Sequence, residues 1–110
     1  MNAVFKALAD PTRRKVLELL RQRPMTAGEL ADHFPVSRPT MSAHFAVLRE
    51  ADLVDALKIG TTITYQLRLS VLEDALLGFA GLFGVRAETN AAADAADKIE
   101  PEQIRQGAAE

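Results

Sequence analysis

The chain has 110 residues, 48% hydrophobic and 25% charged, which fits one ordinary globular domain with room for a tail. It has no cysteine, which excludes disulfides, thiol redox sensing, thiolate metal sites and cysteine nucleophiles, and no apolar run approaches the roughly 18 residues of a membrane span. The net charge of -2 is unevenly placed: residues 1–69 hold 10 Lys/Arg against 7 Asp/Glu and residues 70–110 hold 3 against 8, a mildly basic body and an acidic end that stay compatible with phosphate binding.

The N-terminus lacks the charged-then-apolar layout of a signal peptide, so the expected location is the cytoplasm. Residues 2–9, NAVFKALA, read as a short helix with Val4, Phe5 and Leu8 available for packing. Asp10 suits an N-cap and Pro11 the first helical position, so a second helix starts there and runs to about Arg23 before Pro24 ends it. Val16, Leu17, Leu19 and Leu20 supply its buried side. Arg13, Arg14, Lys15, Arg21 and Arg23 read first as a solvated face, with phosphate contact as the alternative.

The stretch from Thr26 to Glu50 reads as two short helices joined by a tight turn. Thr26 caps the first, and Glu29 three residues on completes a capping box. Leu30 and Phe34 point into the core, and Pro35 stops the helix. Ser37 caps the second helix, with Pro39 tolerated in its first turn. Met41, Phe45 and Leu48 recur at i, i+4 and i+7 and define one buried stripe. Arg38, Thr40, Ser42, Ala43 and Ala46 lie opposite, small or polar, as suits a helix seated against a hydrogen-bonding surface. This is a helix-turn-helix, with Ser37–Glu50 as the helix that enters a DNA major groove.

Asp52 is expected in a turn or left-handed conformation at the end of that helix. Val54, Ala56 and Lys58 then alternate at period two, as do Ile63, Tyr65 and Leu67, with Gly60 between the runs. That pattern predicts a β-hairpin. A hairpin directly after a helix-turn-helix is a wing, so the expected architecture is mostly α with a β-hairpin, a winged helix-turn-helix in the order α-α-α-α-β-β-α. Ser70 is read as the cap of a last helix from Val71 to about Phe83. Leu72, Ala75, Leu76, Phe79, Leu82 and Phe83 form its wide apolar stripe, too much for so small a core. With Val4, Phe5 and Leu8 of the first helix it is a candidate homodimer interface, the alternative being packing within one chain. The expected domains are residues 1–84, for DNA binding and dimerisation, and 85–110, a flexible acidic tail rich in alanine.

The inventory for catalysis is poor. Ser42 and His44 are two apart on one helix and face different ways. His33 and His44 lie on different helices without metal-ligand spacing, and no Gly-rich phosphate loop or carboxylate pair is present. We expect no enzyme, cofactor or metal. For double-stranded DNA the parts fit. Arg38 suits guanine or phosphate, Ser37, Thr40 and Ser42 suit phosphates or base edges, Ala43 leaves space, and exposed helix N-terminal amides add anion affinity. His44 either reaches the DNA backbone or bonds within the domain. Lys58, Thr61 and Thr62 place the wing against phosphates or the minor groove, a small contribution because the wing has few cations.

FKALADPTRRKVLELL, MTAGELADHF, VSRPTMSAHFAVLREADLV and the Gly60 to Tyr65 wing resemble the ArsR-type winged-helix repressors of bacteria, nearest the sporulation-delay autorepressor subgroup. The resemblance covers nearly all of residues 3–83. It implies a homodimer built on the first and last helices, repressing by occupying an inverted-repeat operator, often in its own promoter. Many members release DNA when metal binds, through a cysteine pair around the helix at residues 26–34 or through His and Asp on the last helix. Neither set is present, since Val71–Phe83 offers only Glu73 and Asp74, so metal sensing is not carried over. The subgroup is controlled by sequestration at a membrane partner, which the resemblance adds to the expected partners. Asp52 stands where the family usually has Gly, which bears on the helix–wing junction. A rival is a winged-helix adapter for protein interaction that does not bind DNA. The acidic total charge and weakly basic wing favour it; the polar outer face of Ser37–Ala46 opposes it.

Overall fold

Local chemistry sets most of the helix ends. The computed structural model describes residues 2–85. Helix α1 spans Asn2–Leu8 and α2 spans Pro11–Gln22. Between them Asp10 is the N-cap of α2, its carboxylate accepting from the Arg13 backbone N–H at 3.1 Å, with Pro11 in the first turn. Helix α3 spans Ala27–Ala31 behind a complete capping box. Glu29 N–H donates to Thr26 Oγ1 at 3.0 Å, and Thr26 N–H donates to Glu29 Oε1 at 2.9 Å. The helix ends at Ala31, four positions before Pro35 can interrupt it, with Asp32 as C-cap.

Helix α4, Arg38–Glu50, starts at the Ser37 cap with Pro39 in its first turn. Its Met41, Phe45 and Leu48 are buried, as the i, i+4, i+7 spacing predicts. Asp52 adopts φ 59°, the left-handed conformation, and so turns the chain from α4 into the wing. Strand β2, Val54–Ile59, pairs antiparallel with β3, Thr62–Leu67. The register sets Val54 against Leu67, Ala56 against Tyr65 and Lys58 against Ile63, the two alternating sets of the sequence. Gly60, at φ 63°, takes the first central position of the turn, where an L side chain is disfavoured.

Two features depart from the sequence reading. A two-residue strand β1, Met25–Thr26, pairs with β3 through Met25–Tyr65 and Thr26–Thr64. The sheet is therefore three-stranded, in the order β1-β3-β2, and the element order is α-α-β-α-α-β-β-α. Two residues are too few to show an alternation, and their pairing is long-range. The last helix α5, Leu69–Leu82, also starts earlier than expected. The Arg68 carbonyl accepts from the Val71 and Leu72 N–H groups, so Ser70 lies inside the first turn and is not the cap.

The chain divides into two units, Met1–Ala75 and Leu76–Glu110. In the first, the core gathers Val4 and Ala7 of α1, Val16, Leu17 and Leu20 of α2, Met25, Leu30, the α4 stripe, Ala51, Leu53, Val54, Tyr65 and Ala75. Leu19, expected among the buried residues, is only partly covered, as is Phe34. In the second, the Phe79 and Phe83 rings lie 5.3 Å apart. Of the expected acidic tail at 85–110, residues 86–110 lie outside the described residues.

Candidate nucleic-acid interface

The outer face of α4 is polar and open. Arg38, Thr40, Ser42, Ala43 and Ala46 are all exposed, opposite the buried stripe. The Ser37 hydroxyl accepts from the Thr40 backbone N–H at 3.2 Å and donates to Thr40 Oγ1 at 2.9 Å. Thr40 thus keeps its own hydroxyl proton for an outside acceptor. This cap also limits the anion affinity expected of the helix N-terminus. Pro39 has no N–H and the Thr40 N–H is taken, which leaves the Arg38 amide alone in the first three positions.

Arg38 does not stand by itself. It lines an open cleft of about 310 Å³ together with Thr61 and Thr62 of the wing, Ile63, and Thr26, Ala27 and Gly28 at the start of α3. The structure therefore brings the recognition helix and the wing tip to one concave surface, lined by three threonines and an arginine. Thr26 and Gly28 were not anticipated there, because the pairing of β1 with β3 carries them to the wing. Lys58, also exposed, sits on β2 opposite Ile63. A guanidinium flanked by small polar groups is suited to a phosphate or a guanine edge.

His44 is placed otherwise. Its side chain is only 14% exposed. Nδ1 lies 3.1 Å from Arg13 Nη1 and 3.9 Å from Asp10 Oδ2. The guanidinium has donors only, which assigns the acceptor role to Nδ1 and the ring proton to Nε2. Of the two readings of His44, the structure shows the bond within the domain. Burial works against the charged form of Asp10. The backbone N–H groups of Arg13 and Thr12, with the Arg13 charge, outweigh it and hold the carboxyl below its ordinary value.

The bases of α2 are also more engaged than a solvated face. Arg13 Nε donates to Ala7 O at 2.8 Å and its Nη2 to Lys6 O at 3.0 Å, while Arg14 Nη1 donates to Leu8 O at 2.7 Å. Lys15 pairs with Glu18 at 3.1 Å, and Arg23 approaches Glu29 at 3.5 Å. Both pairs are exposed and contribute little. His33 is exposed, its ring 6.5 Å from that of Phe34. Among the described residues no group of three or more His, Cys, Asp or Glu is placed to hold a metal ion, and no helix is long and apolar enough to cross a membrane.

The residues named for subunit contact divide by burial. Val4 and Ala75 are already buried within the first unit, and Phe5, Leu8 and Leu72 are half-buried. Leu76, Phe79, Leu82 and Phe83 are exposed, the last two at 73% and 72%.

Comparison with known proteins agrees with this architecture. A family described as a helix-turn-helix domain matches residues 8–55. The transcriptional repressor SdpR of Bacillus subtilis is 46% identical over 76 residues, spanning 69% of this chain and 84% of that protein. An ArsR-like transcriptional regulator from Rhodococcus sp. RHA1 superimposes with a TM-score of 0.65 at 30% identity, covering 92% of each chain. The homodimeric winged helix-turn-helix DNA-binding domain Mb0332 of Mycobacterium bovis, a possible ArsR-family regulator, gives 0.58 at 26% identity, covering 74% of this chain and 80% of that one. On the capped helix pair, the polar α4 face and these likenesses, the chain belongs to the ArsR family of winged helix-turn-helix transcriptional repressors.

Proposed function

We propose that this repressor acts as a homodimer on an inverted-repeat operator, in its own promoter among others. The observation that carries the reading is the shared surface of Arg38, Thr61 and Thr62, where the recognition helix and wing meet one groove wall. Arg38, Thr40 and Ser42 read base edges or phosphates, Ala43 lets the helix approach closely, and Lys58, Thr61 and Thr62 hold the backbone. Ser37 acts by fixing the first turn. Two protomers place two such helices about one turn of DNA apart.

The homodimeric state of the Mycobacterium bovis relative supports the dimer. Its candidate apolar residues are the half-buried Phe5 and Leu8 on α1, and the exposed Leu76, Phe79, Leu82 and Phe83 on and after α5. Release from DNA does not run through a thiolate or histidine metal centre, because the chain lacks cysteine and its two histidines sit on unrelated surfaces. Sequestration by another protein, as the subgroup resemblance implies, is the form of control that remains.

The test is fluorescence anisotropy of the full chain on DNA from its own upstream region, with a scrambled duplex as control and salt varied. Tight binding to the first alone, weakening steeply with salt through counterion release, supports the reading. The adapter reading is favoured by Leu57 and Ile59, exposed at 62% and 70% on the edge strand β2. No binding to either duplex, nor to any sequence recovered from a random pool, would decide for the adapter.

A further inference from the structure

Helix α1 has seven residues, so its last carbonyls have no partner within the helix. The Arg13 guanidinium takes two of them, Ala7 O and Lys6 O, and turns its remaining arm to His44 on α4. One rigid planar group thus joins the end of α1, the first turn of α2 and the flank of the recognition helix. Much of the remaining hold on α4 is apolar, with Met41, Phe45 and Leu48 buried in the core, which is strong but far less directional.

We propose that Arg13 is a positioning residue for DNA reading: through His44 it fixes the recognition helix against α1, and so sets the half-site spacing that the dimer accepts. The inference rests on the operator reading above. In a dimer joined through α1, any error in the placement of α4 against α1 enters twice, once from each protomer, with opposite sense along the operator. Base pairs are spaced 3.4 Å apart, so a displacement of α4 by under half that distance already blurs one spacing into the next. Hydrogen bonds of 2.8 to 3.1 Å on three sides of one guanidinium restrain such displacement. Lysine at this position keeps the charge but, as a single-point donor, cannot make all three bonds.

The experiment compares the full-length wild type with Arg13→Lys, His44→Leu, His44→Asn and the Arg13→Lys/His44→Leu pair. Asparagine keeps an acceptor near the place of Nδ1; leucine removes it. The probe is a duplex recovered by the wild type from random DNA, together with versions carrying one base pair more or fewer between the half-sites. Arg13→Lys and His44→Leu should each cut the preference for the parent spacing roughly tenfold, with no further loss in the pair. His44→Asn should keep it, and binding to unrelated DNA should be unchanged in all, since no formal charge is altered. Additive losses, or a loss in Arg13→Lys that His44→Leu does not share, would overturn the proposal. The same four variants in thermal unfolding without DNA give a check independent of any operator: absence of coupling between the two positions overturns it as well. A wild type that prefers no duplex would instead overturn the operator reading, and this inference with it.

Discussion

The Phe45 and Tyr65 rings lie 4.8 Å apart with their planes at 35°, one on the recognition helix and the other on the central strand of the sheet. Both are buried, and Tyr65 is in turn paired with Met25 of β1 and Ala56 of β2. The wing is therefore seated on the helix it flanks. Phe45→Ala should cost about 3–5 kcal/mol, a large part of the 5–15 kcal/mol that typically holds a domain. Phe45→Leu, which keeps most of the volume, should cost under half as much. Urea unfolding of the three proteins measures both; equal losses would mean that the ring contact, and not volume, dominates.

Tyr65 is also the chain's single tyrosine, and there is no tryptophan. Burial raises its ionisation above the ordinary value of 10.0, partly opposed by the Arg49 charge. A group raised in the folded state contributes stability that is full below its unfolded value and lost as pH rises through its folded one. The tyrosinate absorbance should thus appear at higher pH in the folded protein than in urea. Stability should decline on that alkaline limb, and Tyr65→Phe should remove the decline.

Arg38 is exposed and has no hydrogen-bond or ion-pair partner among the described residues. Arg38→Ala should therefore leave the thermal midpoint unchanged while weakening operator binding by about 1–3 kcal/mol and relaxing preference at one base position. A uniform loss across sequences, with a shallower salt dependence, would reassign Arg38 to phosphate.

Where a feature depends on residues close in the chain, the sequence discloses it. The Asp10, Thr26 and Ser37 caps, the α4 stripe, the left-handed Asp52 and the cross-strand sets of the hairpin all rest on neighbours within a few positions. Distance in sequence defeats the rest. β1 exists only because β3, about 40 residues on, offers it a partner. The Arg13 bonds depend on how the Ala9-Asp10 turn folds α2 back toward the α1 carbonyls, and His44 needs a third element to complete the cluster. Ser70 misleads for the opposite reason: it is a good capping residue two places too late, because β3 ends at Leu67 and the Arg68 carbonyl already accepts the first bonds of α5.

Asp52 offers a test of backbone strain. At φ 59° an ordinary L residue costs roughly 1–2 kcal/mol, and Asp less. Its contact with Arg68, at 4.0 Å and largely exposed, adds little. Asp52→Val should destabilise by about the full penalty, whereas Asp52→Gly should be neutral within roughly 0.5 kcal/mol, relief of strain offsetting the added freedom of the unfolded chain. A valine variant as stable as the wild type would show that this junction can relax.

On the acid side, Asp10 is held below its ordinary value of 3.8: burial opposes this, but the Arg13 and Thr12 amides and the Arg13 charge prevail. A depressed carboxyl contributes stability that is full above its unfolded value and lost as pH falls through its folded one. The wild type should lose thermal stability more steeply below that value than Asp10→Asn, which still caps the helix but cannot titrate. Parallel acid limbs for the two would show that the charge of Asp10 is immaterial.

The wing is built unevenly. Its root is anchored by Val54, Tyr65 and the pairing with β1, while every residue from Asp55 to Thr62 is exposed and the space around Gly60 is open to 4 Å. Selection on folding therefore presses hard on the root and scarcely at all on the tip. Insertions and exchanges at the hairpin end escape that constraint, so lineages descended from this scaffold are free to diverge there while inheriting one core.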